Sequence, residues 1–96
     1  MSSILDTIYE KSPETAWGGV EGETIIIDLK AKRVIGINDV ASIIWEALDG
    51  KTALREIVKT RVLTEFEIEE EQALYDAEKW IAEIAQQGLA IHVTAK

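Results

Sequence analysis

The run Glu21-Gly22-Glu23-Thr24-Ile25-Ile26-Ile27-Asp28-Leu29 constrains this chain more than any other segment. It is rich in β-branched residues, which favour the pleated backbone, and Glu23 to Leu29 reads as a strand. The chain turns at Lys30 to Lys32, and Arg33 to Ile37 returns as the next strand, with Ile35 and Ile37 on one side. Asn38 follows immediately. Its side-chain oxygen suits it to accept free N–H groups at a helix start, and Val40, Ile43, Ile44, Ala47 and Leu48 then recur on one helical face. Asp49 and Gly50 end that helix.

Thr15 to Val20 supplies a first strand and completes a three-stranded meander, although Gly18 and Gly19 weaken it and suggest a bulge or a close backbone approach. Alternation along Glu23 to Leu29 puts Ile25, Ile27 and Leu29 on the face expected to meet the helices, and Thr24, Ile26 and Asp28 on the other. Thr52 is the expected cap of a second helix carrying Leu54, Ile57, Val58 and Val62. The third helix is the longest. It begins between Thr64 and Glu69, carries Ala73, Ala77, Trp80, Ile81 and Ile84 along one stripe, and stops at Gly88. Leu89 to Val93 alternates like a short C-terminal strand. The expected class is therefore α+β: a meander, three helices and a last strand. The ordered domain is expected over residues 13–94. Ile4, Leu5, Ile8 and Tyr9 are too few to separate a helical turn from an extra strand, so residues 1–12 are expected to be a flexible tail.

A chain of 96 residues holds one small core and no separate catalytic domain. Its net charge of -8 counts against nucleic acid, because phosphate binding draws its affinity from Lys and Arg. With no cysteine and no basic, apolar leader segment, the cytoplasm is the default compartment. Charge is uneven, however. Lys30, Lys32 and Arg33 cluster at one hairpin, whereas Glu65, Glu67, Glu69, Glu70 and Glu71 crowd the start of the longest helix. Carboxylates there offset exposed N–H groups by about 0.3 to 1 kcal/mol each, a sufficient structural reason that leaves no call for a metal.

Chemistry-bearing motifs are sparse. Gly50-Lys51-Thr52 ends like a phosphate loop, but Trp45 occupies the position where that loop needs its first glycine. His92 is the only histidine and has no partners in sequence to make it a base or ligand, and Ser12 and Ser42 lack an activating base. No cofactor, metal or catalytic residue is expected. Trp17, Trp45 and Trp80 are read as core, with Trp17 the one placed for a partner to cover.

The order of elements, with Glu21-Gly22-Glu23, Asp28-Leu29, Ile37-Asn38, Ile44-Trp45, Asp49-Gly50 and Gly88-Leu89 at their spacings, resembles the PqqD-like family, the RiPP recognition elements of ribosomal peptide modification pathways. The resemblance covers about Thr15 to Ile91. Two departures stand out: Lys32 where members commonly carry glycine, and Val34 and Ile35 where they commonly carry aromatic residues. The chain looks more like the stand-alone elements of lasso-peptide pathways than like the chaperones of the PQQ pathway.

What the resemblance implies is a winged helix-turn-helix in which the third strand has an open edge facing the third helix. A precursor's leader peptide adds to that edge as a further strand and is delivered to a tailoring enzyme, such as a radical enzyme, a protease or a cyclase. Carried onto this chain, the strand edge is Lys32, Arg33, Val34, Ile35 and Gly36, and the helical wall is Leu74, Ala77, Glu78 and Ile81. Two other readings remain: a winged-helix DNA-binding regulator, which the charge opposes, and a homodimer formed by edge pairing.

Overall fold

The amino-terminal segment builds structure of its own. In the computed structural model, which describes residues 3–93, Ile4–Asp6 form a 3-10 turn and strand β1 (Ile8–Lys11) follows. Strand β1 lies between β5 (Asp49–Ala53) and β6 (Ala90–Val93), antiparallel to both. Residues 4–11 thus depart from the expected flexible tail, because Tyr9 is buried in the core and the strand finds both its partners far along the chain. Residues 1 and 2 lie outside the described range, as does residue 94 at the other end of the expected domain.

A second antiparallel sheet is the meander β2 (Thr15–Val20), β3 (Glu23–Asp28) and β4 (Arg33–Ile37), in that order. Pairing from Thr15↔Asp28 to Val20↔Glu23 is uninterrupted, so the bulge expected at Gly18 and Gly19 is absent. The connecting Glu21-Gly22 has φ of 51° and 83°, the left-handed pair that matches strand twist in a two-residue hairpin. Between β3 and β4, Lys32 takes φ 58°, so the turn keeps the conformation that glycine would adopt more easily.

The sheet's faces are the reverse of the expectation. Ile26 is 0% exposed and Asp28 is buried, whereas Ile25 and Ile27 are half-buried and Leu29 is exposed. Thr24, Ile26 and Asp28 face the helices because the two polar groups are satisfied there: Thr24 Oγ1 and Ser42 Oγ share a 2.7 Å hydrogen bond, and the Asp28 carboxylate is fully engaged.

Helix α1 (Asp39–Ala47) starts as anticipated, with the Ala41 N–H donating to Asn38 Oδ1 at 2.8 Å. At its far end Lys11 Nζ donates to the carbonyls of Glu46 and Leu48 and lies 5.6 and 5.8 Å from the ring centres of Trp17 and Trp45. Thr52 is not a helix cap. It sits in β5, where the Asp49 carboxylate accepts from the N–H groups of Lys51 and Thr52 and from the Thr52 hydroxyl, a turn that competes with capping.

Helix α2 (Leu54–Ile57), a π turn at Val58–Val62 and helix α3 (Leu63–Glu65) run on as one helical stretch. Helix α4 (Glu70–Gln86) then spans the domain. Gly88, at φ 81°, ends it: the Gly88 N–H donates to Ala85 O and the Leu89 N–H to Ile84 O, the paired bonds of a Schellman stop. Trp45, Ile44, Leu54, Ile57, Val58, Ile81 and Leu89 fill the core between α1, α4 and the inner sheet face. Trp80 is only half-buried and Trp17 is exposed, so Trp45 alone of the three tryptophans is core throughout.

Candidate functional site

Strand β4 is the outermost strand of its sheet, and among the described residues nothing pairs with its outer edge. Such an edge presents a row of backbone donors and acceptors to any extended chain. Helix α4 runs alongside it, tied at one end where Arg33 Nη2 donates to Gln87 Oε1 at 3.1 Å. The same guanidinium donates to Asp28 Oδ2 at 3.1 Å.

Asp28 anchors the start of the strand. Its Oδ1 accepts from the N–H groups of Lys30 and Ala31 at 3.1 and 3.0 Å. The Ala31 N–H, followed by the Arg33 guanidinium, holds its carboxyl below the usual 3.8. A cleft of about 360 Å3 opens beside this group, lined by Ser12, Glu14, Lys30, Arg33, Gln87 and Gly88 among others.

At the other end of β4 lies a more apolar cavity of about 190 Å3. Its walls are Asn38, Val40, Ala41 and Ile44 from the cap and body of α1, Ile68 from the preceding loop, and Ala73, Asp76, Ala77 and Trp80 from α4. Small Ala73 and Ala77 let the helix approach, while half-buried Trp80 closes one side. Asp76 sets a carboxylate at the rim, where Gln72 Nε2 donates to it at 2.9 Å.

The strand residues singled out from sequence are together: Lys32, Arg33, Val34 and Gly36 are exposed, and Ile35 is half-buried with its pairing partner Ile26 on the inner face. The helical four divide. Ala77 lines the cavity. Ile81 is wholly buried in the core. Leu74 and Glu78 lie on the flank turned away from the cavity, where the charge of Glu78 acts on Arg55. Residues missed by sequence reasoning are Asn38, Val40, Ala41, Ile44, Ile68, Ala73, Asp76 and Trp80. Positions 73, 76, 77 and 80 share one stripe at helical spacing, and the half-buried tryptophan within it was the available signal.

Edge strand β4, helix α4 and the cavity that α4 forms with α1 beyond the end of β4 define a small α+β winged-helix domain with a groove. The family described as "Coenzyme PQQ synthesis protein D (PqqD)" matches residues 23–90, and the chain belongs to that family. Among solved structures, "TbiB1 in Complex with the TbiA(beta) Leader Peptide" is similar with a TM-score of 0.75 and 20% identity, covering 91% of this chain and 99% of that one. "Lasso peptide synthetase B1 complexed with the leader peptide" is similar with a TM-score of 0.75 and 18% identity, covering 86% and 96%. At these identities the likeness establishes the fold. No curated protein matches the chain.

Proposed function

We propose that this protein is a non-catalytic peptide chaperone that binds the leader of a ribosomally synthesised precursor by β-strand addition to β4 and delivers it to a modifying enzyme. The observation that carries this reading is the free edge of β4 lying along α4 with an apolar cavity at one end. Both structural neighbours are complexes with leader peptides, which supports the same use of the groove. Backbone pairing along Lys32 to Gly36 supplies sequence-independent affinity, and the cavity between α1 and α4 supplies choice by accepting an apolar side chain. Ala77 belongs to that wall; Leu74, Glu78 and Ile81 support it from behind.

Ordering a disordered leader consumes roughly 2 to 5 kcal/mol of the gross interaction, so affinity is moderate. The gain for catalysis is effective concentration: a partner enzyme that holds this protein in the cytoplasm receives a substrate already captured. DNA binding finds no support, since the net charge is -8 and α4 carries Glu70, Glu71, Glu78 and Glu83.

The test is an NMR titration of labelled protein with the leader peptide of a ribosomally synthesised precursor from the same genome. Shifts are expected at Arg33 to Gly36, Val40, Asp76 and Trp80. Saturating peptide that leaves these amides unmoved refutes the proposal.

A further inference from the structure

The sheet face turned away from the helices is apolar and, among the described residues, uncovered. Ile25 and Ile27 on β3 form its centre, and Val20 (50% exposed), Leu29 (54%) and Val34 (66%) surround them. Three of the six large hydrophobic side chains exposed among the described residues thus share one small surface. Its relief is specific. Gly18 and Gly36 pair with Ile25 from either side, so Ile25 stands as a ridge between two troughs. A Cβ at either glycine would meet nothing within 4 Å, so no packing inside this chain requires glycine there. Glycine within a strand often marks the approach of another backbone.

Charge is arranged to match. Glu21 in the β2–β3 turn and Glu23 stand at one end of the face, and Lys30 and Lys32 in the β3–β4 turn stand at the other. We infer that a second copy of this chain covers this face, related by a two-fold axis lying across the strands. That operation reverses strand direction, sets the acidic end of each copy over the basic end of the other and, with the axis passing between Ile25 and Ile27, lays the exposed Val34 of each copy over the other's Gly36. One surface carries both halves of the complement, which is what an isologous contact requires and what an unrelated partner would not need.

Three strands about 4.8 Å apart and six residues at about 3.3 Å give a patch of roughly 14 by 20 Å, small for a stable dimer. The dimer is therefore weak, with Kd on the order of 100 µM. It leaves the β4 edges free.

Sedimentation equilibrium of the full chain from about 10 µM to 1 mM tests this, spanning the expected constant. The mass is expected to rise from monomer toward dimer. Glu23→Lys alone and Lys30→Glu alone each weaken the dimer about fivefold, and an equimolar mixture of the two restores it. Val20→Lys, at an exposed position, abolishes it, with circular dichroism confirming the fold. A monomer mass throughout overturns the inference, as does a dimer indifferent to all three substitutions or one dissolved by peptide at the β4 edge.

Discussion

Val40→Phe should block the groove without damaging the fold. Val40 is half-buried in the first turn of α1 and forms part of the wall of the 190 Å3 cavity. Phenylalanine adds four carbons that enter this space, and Val and Phe differ little in helix propensity. A leader side chain that would have buried itself there forfeits roughly 1.5 to 3 kcal/mol, which is about 10- to 150-fold in Kd. Backbone pairing with β4 remains, so binding is weakened and not lost. The assay is fluorescence anisotropy with a labelled leader peptide, beside thermal melts of parent and variant. The melting temperature is expected to hold or rise as the cavity fills. Tyr75→Ala, on the exposed side of α4, is the control and should change Kd by less than about twofold. A Val40→Phe protein that melts normally and binds the leader as the parent does refutes the assignment of the cavity.

Lys32→Gly should stabilise the protein by about 0.5 to 1 kcal/mol in urea unfolding, since relief of the left-handed φ of 58° exceeds the added flexibility of the unfolded chain. Asn38→Ala should remove about 1 kcal/mol by the same measurement, because the Ala41 N–H loses its acceptor. Asp28 links stability to acid. Its carboxyl is held below 3.8 in the folded protein, so below 3.8 the unfolded chain binds more protons than the folded one, and the contribution present above 3.8 is lost as pH falls through the lowered value. Acid unfolding of Asp28→Asn should therefore show a shallower limb below pH 3.8 than the parent, with the remaining slope from Asp6 and Asp49, which are lowered likewise.

What could be read from sequence was what is decided locally. Asn38 and Gly88 act on backbone groups within a few residues of themselves, so their roles as start and stop signals are visible in the chain. Strands β1 and β5 were not visible, because they exist through pairing between distant segments, Ile8 with Ala53 and Val93 and Glu10 with Asp49 and Ile91. The inner face of β3 was misread for a different reason. Counting apolar residues favours Ile25, Ile27 and Leu29, but Thr24 and Asp28 face inward at little cost once Ser42, Arg33 and two backbone N–H groups receive their oxygens. The strand edge named from the resemblance is exposed at Lys32, Arg33, Val34 and Gly36, whereas of the four residues named on the helix only Ala77 lines the cavity. Leu74 and Glu78 lie about 100° and 140° around the helix from Ala73, and the position of α1 decides that the flank bearing Ala73 and Trp80 meets the cavity.

The placement of β1 bears directly on why the groove is free. A short amino-terminal strand is the nearest candidate to cap an open sheet edge, and a tail lying on β4 would close the site from within. Here the turn at Ser12 to Glu14 prevents that. The Ser12 N–H donates to Leu89 O, the Thr15 N–H to Ser12 O and the Glu14 N–H to Ser12 Oγ, so the chain passes from β1 straight into β2. Strand β2 is at the opposite edge of the meander from β4, two strand spacings or about 9.6 Å away. With Lys11 fixed to the end of α1 and Tyr9 in the core, β1 cannot cross β3 to reach β4. The edge is kept available by connectivity, and the exposed Lys32 and Arg33 at its start are charges of the kind that discourage indiscriminate strand pairing.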